Sequence, residues 1–137
     1  MCSSDLKSLA AGHRTRVLLN SDLDLALRVG VDGIHLTSRQ LSALRERPAI
    51  PLVGASCHDA EELRAAALLG ADFAVLGPVL PTQSHPGARS LGWDRFDALT
   101  INAKLPVFAL GGIARGHLAT ACSHGAHGIA MLRGAWA

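Results

Sequence analysis

The sequence of 137 residues contains no tyrosine, only three phenylalanines and two tryptophans, so aromatic side chains make up 4% of it. That leaves few platforms on which nucleobases could stack. Charge of one sign is equally scarce: thirteen Lys and Arg against eleven Asp and Glu leave +2, with the basic residues scattered, which excludes the basic patch of a nucleic-acid binder. The cysteines Cys2, Cys57 and Cys122 are an odd, widely spaced set without metal-type spacing, as expected of reduced thiols in a cytoplasmic protein. No apolar run approaches the length of a membrane span, and no basic segment, apolar segment and cleavage site follow one another at the start, so no membrane partner is expected.

What is present is 49% hydrophobic and 18% charged, the balance of a compact α/β domain. Gly30-Val-Asp-Gly-Ile-His-Leu36, Gly70-Ala-Asp-Phe-Ala-Val-Leu76 and Gly125-Ala-His-Gly-Ile-Ala-Met-Leu132 repeat one unit: a glycine closing a helix, a short polar step, then an apolar run. The uneven spacing between copies fits successive βα units rather than a solenoid. Six short apolar strands are predicted at 16–19, 33–36, 52–55, 73–76, 107–110 and 128–132, without the alternation of a one-sided sheet, as in parallel strands buried on both faces. Helical patterns fall at 22–29, 38–47, 59–69, 93–103 and 114–124. The third is best marked, with Asp59 placed to cap and Glu62 placed to complete a capping box.

Strict alternation of strand and helix implies a parallel sheet with helices outside, either an open doubly wound sheet or a closed (β/α)8 barrel. No dinucleotide or P-loop fingerprint is present. Polar residues and glycines follow the end of every strand: Asn20 and Ser21, Thr37 and Ser38, Ser56, Thr82 and Ser84, Gly111 and Gly112, Arg133 and Gly134. A barrel gathers such ends on one catalytic face, whereas a doubly wound sheet concentrates them at one switch point. The predicted fold is therefore an α/β, TIM-type (β/α)8 barrel, N-terminally truncated to about six βα units at residues 14–137. Cys2-Ser-Ser-Asp-Leu6 matches the translation of a common sequencing-adapter end, so residues 1–13 are expected to be a non-native or remnant leader. Two apolar parallel edges without neighbours would favour association of such an arc.

Between the fourth strand and fourth helix lies Gly77-Pro-Val-Leu-Pro-Thr-Gln-Ser-His-Pro-Gly-Ala-Arg-Ser-Leu-Gly-Trp93, which holds three of the chain's six prolines. Connectors of this length are commonly functional. The prolines would stiffen a loop presenting the hydroxyls of Thr82 and Ser84.

Leu18-Leu-Asn20, Gly33-Ile-His-Leu36, Val53-Gly-Ala-Ser56, Gly77-Pro-Val-Leu-Pro-Thr82, Pro106-Val-Phe-Ala-Leu-Gly-Gly-Ile113 and Gly125-Ala-His-Gly-Ile-Ala130 occur in the order found in the thiamine phosphate synthase/TenI superfamily. From about Arg16 to its C-terminus the chain resembles that phosphate-binding (β/α)8 family. Ser84-His-Pro-Gly87 and Met131-Leu-Arg-Gly-Ala-Trp136 resemble the subgroup fused behind a Nudix (MutT-like) hydrolase domain, which implies such a domain upstream. The resemblance implies a transferase that joins a pyrimidine diphosphate to a thiazole phosphate and releases diphosphate. It implies phosphate binding by Thr82, Ser84, Gly111, Gly112, Leu132, Arg133 and Gly134. It further implies diphosphate binding by Asn20, Ser56 and His85, with His85 and Ser56 catalytic.

The same correspondence places Ser21 and Gln40 where the family has the carboxylates that hold Mg²⁺, and His85 where it has a lysine. Neither Ser nor Gln supplies the charged oxygen Mg²⁺ takes, so no metal ligand is assigned. Asp22 and Asp24 fit the first turn of a helix better. Imidazole also neutralises a diphosphate less well than ammonium. The TenI branch uses a histidine at the position of Pro78, and His85 is out of that register. A binder of a small phosphorylated thiamine-related ligand with weakened or lost catalysis is therefore expected. The alternatives are an active transferase and a non-catalytic ligand-sensing or scaffolding module of a Nudix fusion. His117, His124 and His127 read as solvated or capping residues, His35 as a satisfied strand histidine, and Cys57 as lacking a base for nucleophilic work.

Overall fold

The computed structural model describes residues 3–136; Cys2, among the expected leader residues, lies outside them. Helix α1 (Ser3–Ala10) precedes six βα-type units. In chain order these are β1 (Leu18–Asn20), α2 (Leu23–Val29), β2 (Gly33–Leu36), α3 (Ser38–Ala43), β3 (Leu52–Cys57), α4 (Ala60–Leu69), β4 (Phe73–Leu76), α5 (Gly92–Thr100), β5 (Val107–Ala109), α6 (Leu118–Ser123) and β6 (Gly128–Ile129). All strands are parallel and lie in sequence order from β1 to β6. The order never reverses, so the doubly wound alternative, which needs a switch point, does not apply. The sheet is an arc of a TIM-type barrel. Among the described residues no helix is long and apolar enough to cross a membrane.

The repeated glycine unit has a physical role ahead of β2, β4 and β6, with Asp at its third position in the first two copies and His in the last. Gly30, Gly70 and Gly125 all take positive φ, the left-handed closure that glycine adopts cheaply. Two residues on, the backbone N–H groups of Asp32, Asp72 and His127 donate to the carbonyls of Val17, Val53 and Val107. In the first two copies the carboxylate returns the contact: Asp32 accepts from Val17 N at 2.8 Å and Asp72 from Val53 N at 2.7 Å. Each also meets an arginine, Arg16 at 3.3 Å and Arg47 at 2.9 Å. The Val17 N–H holds the Asp32 carboxyl below the usual carboxylate range against some burial, with Arg16 adding to the effect. Burial pushes the Asp72 carboxyl up, but the Val53 N–H and the Arg47 guanidinium together outweigh it and leave it lowered.

Alternate strand residues form two unlike faces. Ile34, Leu36, Val53, Ala55, Cys57, Ala74, Leu76, Val107 and Ala109 are buried, in one core with Ala26, Leu41, Leu63, Ala66, Phe96 and Ala121 of the helices. The intervening positions carry His35, Ser56, Phe73 and Phe108, which are only half-buried. The scarce aromatics gather here, Phe73 lying 6.0 Å from His35 and 5.6 Å from Phe108 by ring centroids. Gly54 sits between His35 and Phe73 in the sheet register, and a Cβ there would meet both rings.

Several boundaries differ from the sequence expectation. The helix expected over 38–47 ends at Ala43 because Arg47 is drawn to the Gly70 and Pro51 carbonyls and to Asp72. The first strand begins later and includes Asn20, and the third continues through Ser56 to Cys57. The strand expected over 128–132 stops at Ile129, and a short 3₁₀ turn, Arg133–Ala135, follows. The helix expected over 114–124 starts as a 3₁₀ turn, Arg115–His117. Asp59 caps α4 as expected, accepting from Glu62 N at 2.9 Å. Glu62, however, takes the N–H and the ring of His58 rather than completing a capping box. The capping box is formed by Thr37 and Gln40 instead.

Candidate functional site

The loops that follow β3, β4, β5 and β6 surround a cavity of about 410 Å³ at the C-terminal ends of the strands. Every residue predicted for phosphate lies on its wall: Thr82 and Ser84 after β4, Gly111 and Gly112 after β5, Leu132, Arg133 and Gly134 after β6. Ser56 and His85 line it as well. Asn20 does not; it pairs in the sheet with His35, whose Nε2 lies 2.8 Å from Ser56 Oγ. Burial lowers the His35 pKa, so the imidazole that holds the Ser56 hydroxyl is neutral at physiological pH.

The loop after β4 is laid down by backbone bonds. Val79 N–H donates to the Leu110 carbonyl, Leu80 N–H to Gly111, Leu91 N–H to Pro78 and Gly92 N–H to Val79. Residues 79 and 80 thus extend the sheet beside the segment leaving β5, and the chain returns at 91–92 to start α5. Thr82 Oγ1 accepts from Ser84 N at 3.2 Å, the local turn bond such a hydroxyl favours; its own proton remains available. Close packing explains part of the glycine requirement. A Cβ on Gly111 would lie 2.5 Å from Pro78 Cα, one on Gly112 2.6 Å from the Pro81 carbonyl, and one on Gly134 against the Ile113 carbonyl. Packing leaves the amides unaccounted for. The N–H groups of Gly111, Gly112 and Ile113 have no acceptor among the described residues, and all three residues line the cavity.

Val75, Pro78, Leu110, Ile113 and Ala130 form an apolar floor, and among the described residues no carboxylate lines the wall. The polar rim holds Arg133, His58 and His85 beside the hydroxyls. Gln83 and His58 were not singled out by sequence. Gln83 stands between Thr82 and Ser84, but its partner, Arg133 Nη1 at 2.7 Å, is 50 residues away. His58 lies two residues beyond Ser56, and a period of two along β3 could have suggested it. Cys57 also borders the cavity, but its thiol is pushed up to about 12 by burial, then by Glu62 and Asp59, so it is no thiolate nucleophile.

The loops after β1 and β2 are closed on themselves. Gln40 Oε1 accepts from Thr37 N and Thr37 Oγ1 at 3.1 and 3.3 Å, while Gln40 Nε2 donates to the Ser21 carbonyl at 2.6 Å. Ser21 takes φ +64, the one non-glycine in that region among the described residues. Asp22 caps α2 through Leu25 N–H. A Mg²⁺ does not fit this donor set: it wants oxygen ligands with charge, and here the amide oxygen is already engaged and an N–H points at the carbonyl. Among the described residues no cluster of three His, Cys, Asp or Glu could hold a metal. His117 caps through Nδ1 to Ala114 N–H at 3.0 Å, and His124 stacks on Trp93.

These features agree with what the chain is similar to. A thiamine-phosphate synthase of Chromobacterium violaceum is 36% identical over 96% of this chain and 65% of its own length. The thiamine biosynthesis bifunctional protein ThiM/ThiE of Symbiobacterium thermophilum is 38% identical over 88% of this chain and 26% of its own length. The solved thiamine phosphate pyrophosphorylase from Pyrococcus furiosus superposes with a TM-score of 0.75 at 27% identity, covering 94% of this chain and 62% of that one. The chain therefore spans a little under two thirds of the Chromobacterium and Pyrococcus proteins. The family model described as thiamine monophosphate synthase (TMP-TENI) matches residues 2–135, and the chain belongs to that family.

Proposed function

We propose that this chain is the phosphate-binding part of a thiamine phosphate synthase-like barrel, taking a thiazole phosphate or thiamine phosphate, with transfer chemistry weakened or lost. One observation carries the reading: the backbone N–H groups of 111–113 have no acceptor among the described residues, and these residues line a cavity whose rim bears Arg133 and, among the described residues, no carboxylate. Such donors suit the oxygens of a phosphate monoester. The apolar floor suits the flat body of a small ring. In this reading Gly111, Gly112 and Gly134 let the phosphate approach the backbone, Thr82 and Ser84 add hydroxyl contacts, and Leu132 shields one side. Ser56, held by neutral His35, and His85 would meet the leaving diphosphate, with Asn20 behind them. A bound Mg²⁺ would supply charge to that diphosphate, but Ser21 and Gln40 do not provide for it.

Calorimetry with hydroxyethylthiazole phosphate and with the free alcohol tests the binding: preference for the ester supports it, and equal or absent binding of both overturns it. A turnover assay with the pyrimidine diphosphate added tests the loss of transfer. Product formation abolished by His85→Ala would restore the active transferase.

The closed Gln40–Ser21 contact favours a second reading, a non-catalytic sensing or scaffolding module. Its partner in that case is the upstream Nudix domain implied by the 84–87 and 131–136 motifs, in a cytoplasmic fusion protein. Ligand binding without conversion, together with a Nudix box upstream in the source gene, would support it; conversion at an ordinary rate would overturn it.

A further inference from the structure

The amide of Gln83 makes a contact that loop formation does not require. Its Oε1 accepts from Arg133 Nη1 at 2.7 Å, joining the strap after β4 to the turn after β6 beside the cavity that both line. We propose that Gln83 is a positioning residue of this site, holding the Arg133 guanidinium at the rim without cancelling its charge and so setting the preference for a phosphate monoester over the neutral alcohol. The proposal rests on the phosphate reading above.

Both ends of the contact are braced. Ser84 N–H donates to Thr82 Oγ1 at 3.2 Å, folding a tight turn around Gln83. On the other side, Gly134 packs against the Ile113 carbonyl, and Arg115 Nη2 donates to the Ala135 carbonyl at 3.3 Å. The backbone that carries Arg133 is thereby tied to the segment after β5. The guanidinium itself has many rotamers in water, and a single fixed acceptor narrows them toward the cavity.

The chemistry of that acceptor matters. A carboxylate at position 83 would grip Arg133 at least as well, through two charge-assisted bonds, but would neutralise it and repel an incoming dianion. An amide oxygen accepts one N–H and leaves the guanidinium's remaining donors and its full charge for the ligand. Among the described residues no carboxylate lines the cavity to compete for them. Gln83 can thus orient the cation while the ligand supplies the counter-charge.

The test measures dissociation constants of hydroxyethylthiazole phosphate and of the free alcohol for the full chain and for Q83A, Q83E, R133A and Q83A/R133A. Thermal midpoints confirm that each variant folds. Expected is a loss of about three- to tenfold in ester affinity for Q83A, with no further loss when it is added to R133A, as coupled residues behave. Q83E should lose more than Q83A, and increasingly so at low salt. Alcohol binding should be unchanged in both. If R133A weakens the ester but Q83A and Q83E bind it like the parent, Gln83 does not position Arg133, and the phosphate reading stands. If ester and alcohol bind the parent equally, or R133A matches the parent, the phosphate reading falls and this proposal with it.

Discussion

The loops after β1 and β2 and the loops after β4, β5 and β6 close the same end of one sheet, but their polar groups have different partners. On the first side Thr37, Gln40, Ser21 and Asp22 bond to one another and to local backbone. On the second, the N–H groups of Gly111, Gly112 and Ile113 have no acceptor among the described residues, and these residues line a cavity rimmed by Arg133. Side chains that bond to one another in this way gain stability and have little left for a ligand. A side that keeps donors open holds them for something to bind. In the proposed reading the closed side is where the family's metal carboxylates would stand.

The largest expected effect comes from filling the open side. Gly112→Ala puts a methyl group against the Pro81 carbonyl at a residue with φ +65. Strain and overpacking together should cost about 2–4 kcal/mol in a urea melt and remove ester binding. A paired exchange tests the contrast itself. Arg133→Ala should reduce affinity for the ester by about ten- to a hundredfold with little change in stability. Gln40→Ala should do the reverse, costing about 1–3 kcal/mol of stability through the bonds it removes while leaving ester affinity near the parent value. A double variant S21D/Q40D should bind Mn²⁺, read by calorimetry, where the parent does not; Mn²⁺ binding by the parent would break the comparison.

Smaller effects concern the other end of the strands. Because the folded pKa values of Asp32 and Asp72 lie below the ordinary carboxylate value, the unfolded chain takes up protons first as pH falls. Their contribution is present above about pH 4 and lost as pH drops through the folded values. Asp72→Asn should therefore flatten the acid limb of the stability curve and lower stability at pH 7 by about 1 kcal/mol, the scale of the Val53 hydrogen bond. His35 has the same sign for a different reason. Burial lowers its pKa, so its contribution is present above about pH 6.5 and declines as pH falls below that, an effect His35→Gln should remove. The smallest effect is chemical: at pH 8 a thiol reagent followed by peptide mapping should label exposed Cys122 and leave buried Cys57 untouched.

Much of the scaffold was legible because its punctuation is local. The Gly-x-Asp steps place the starts of β2 and β4 where the structure has them, since the left-handed glycine and the returning carboxylate act within a few residues of the strand. Boundaries failed where a distant contact intervened. The helix expected over 38–47 stops short because Arg47 is recruited by Gly70 and Asp72, more than twenty residues on. The last strand ends early although Met131 and Leu132 are apolar, because those residues leave the sheet for the turn beside the cavity, where Leu132 is 65% exposed. Apolar character marks a residue for packing but does not name the surface.

The candidate site divides in the same way. The residue types are visible at the strand ends, and a parallel βα repeat brings such ends to one rim, so the sequence alone groups Thr82, Ser84, Gly111, Gly112 and Arg133. Gln83 could not be, because its significance depends on an arginine 50 residues away. Nor could the use of Gln40: its type excluded a metal carboxylate, but only the folded loops show its amide directed at Ser21. By itself, then, the sequence determined the βα alternation, the helix closures, the polar strand ends and the family, all of which depend on residue type and short-range spacing. The tertiary structure alone decided which polar groups find partners and which stay open, because a side-chain hydrogen bond requires two loops to meet within about 3 Å.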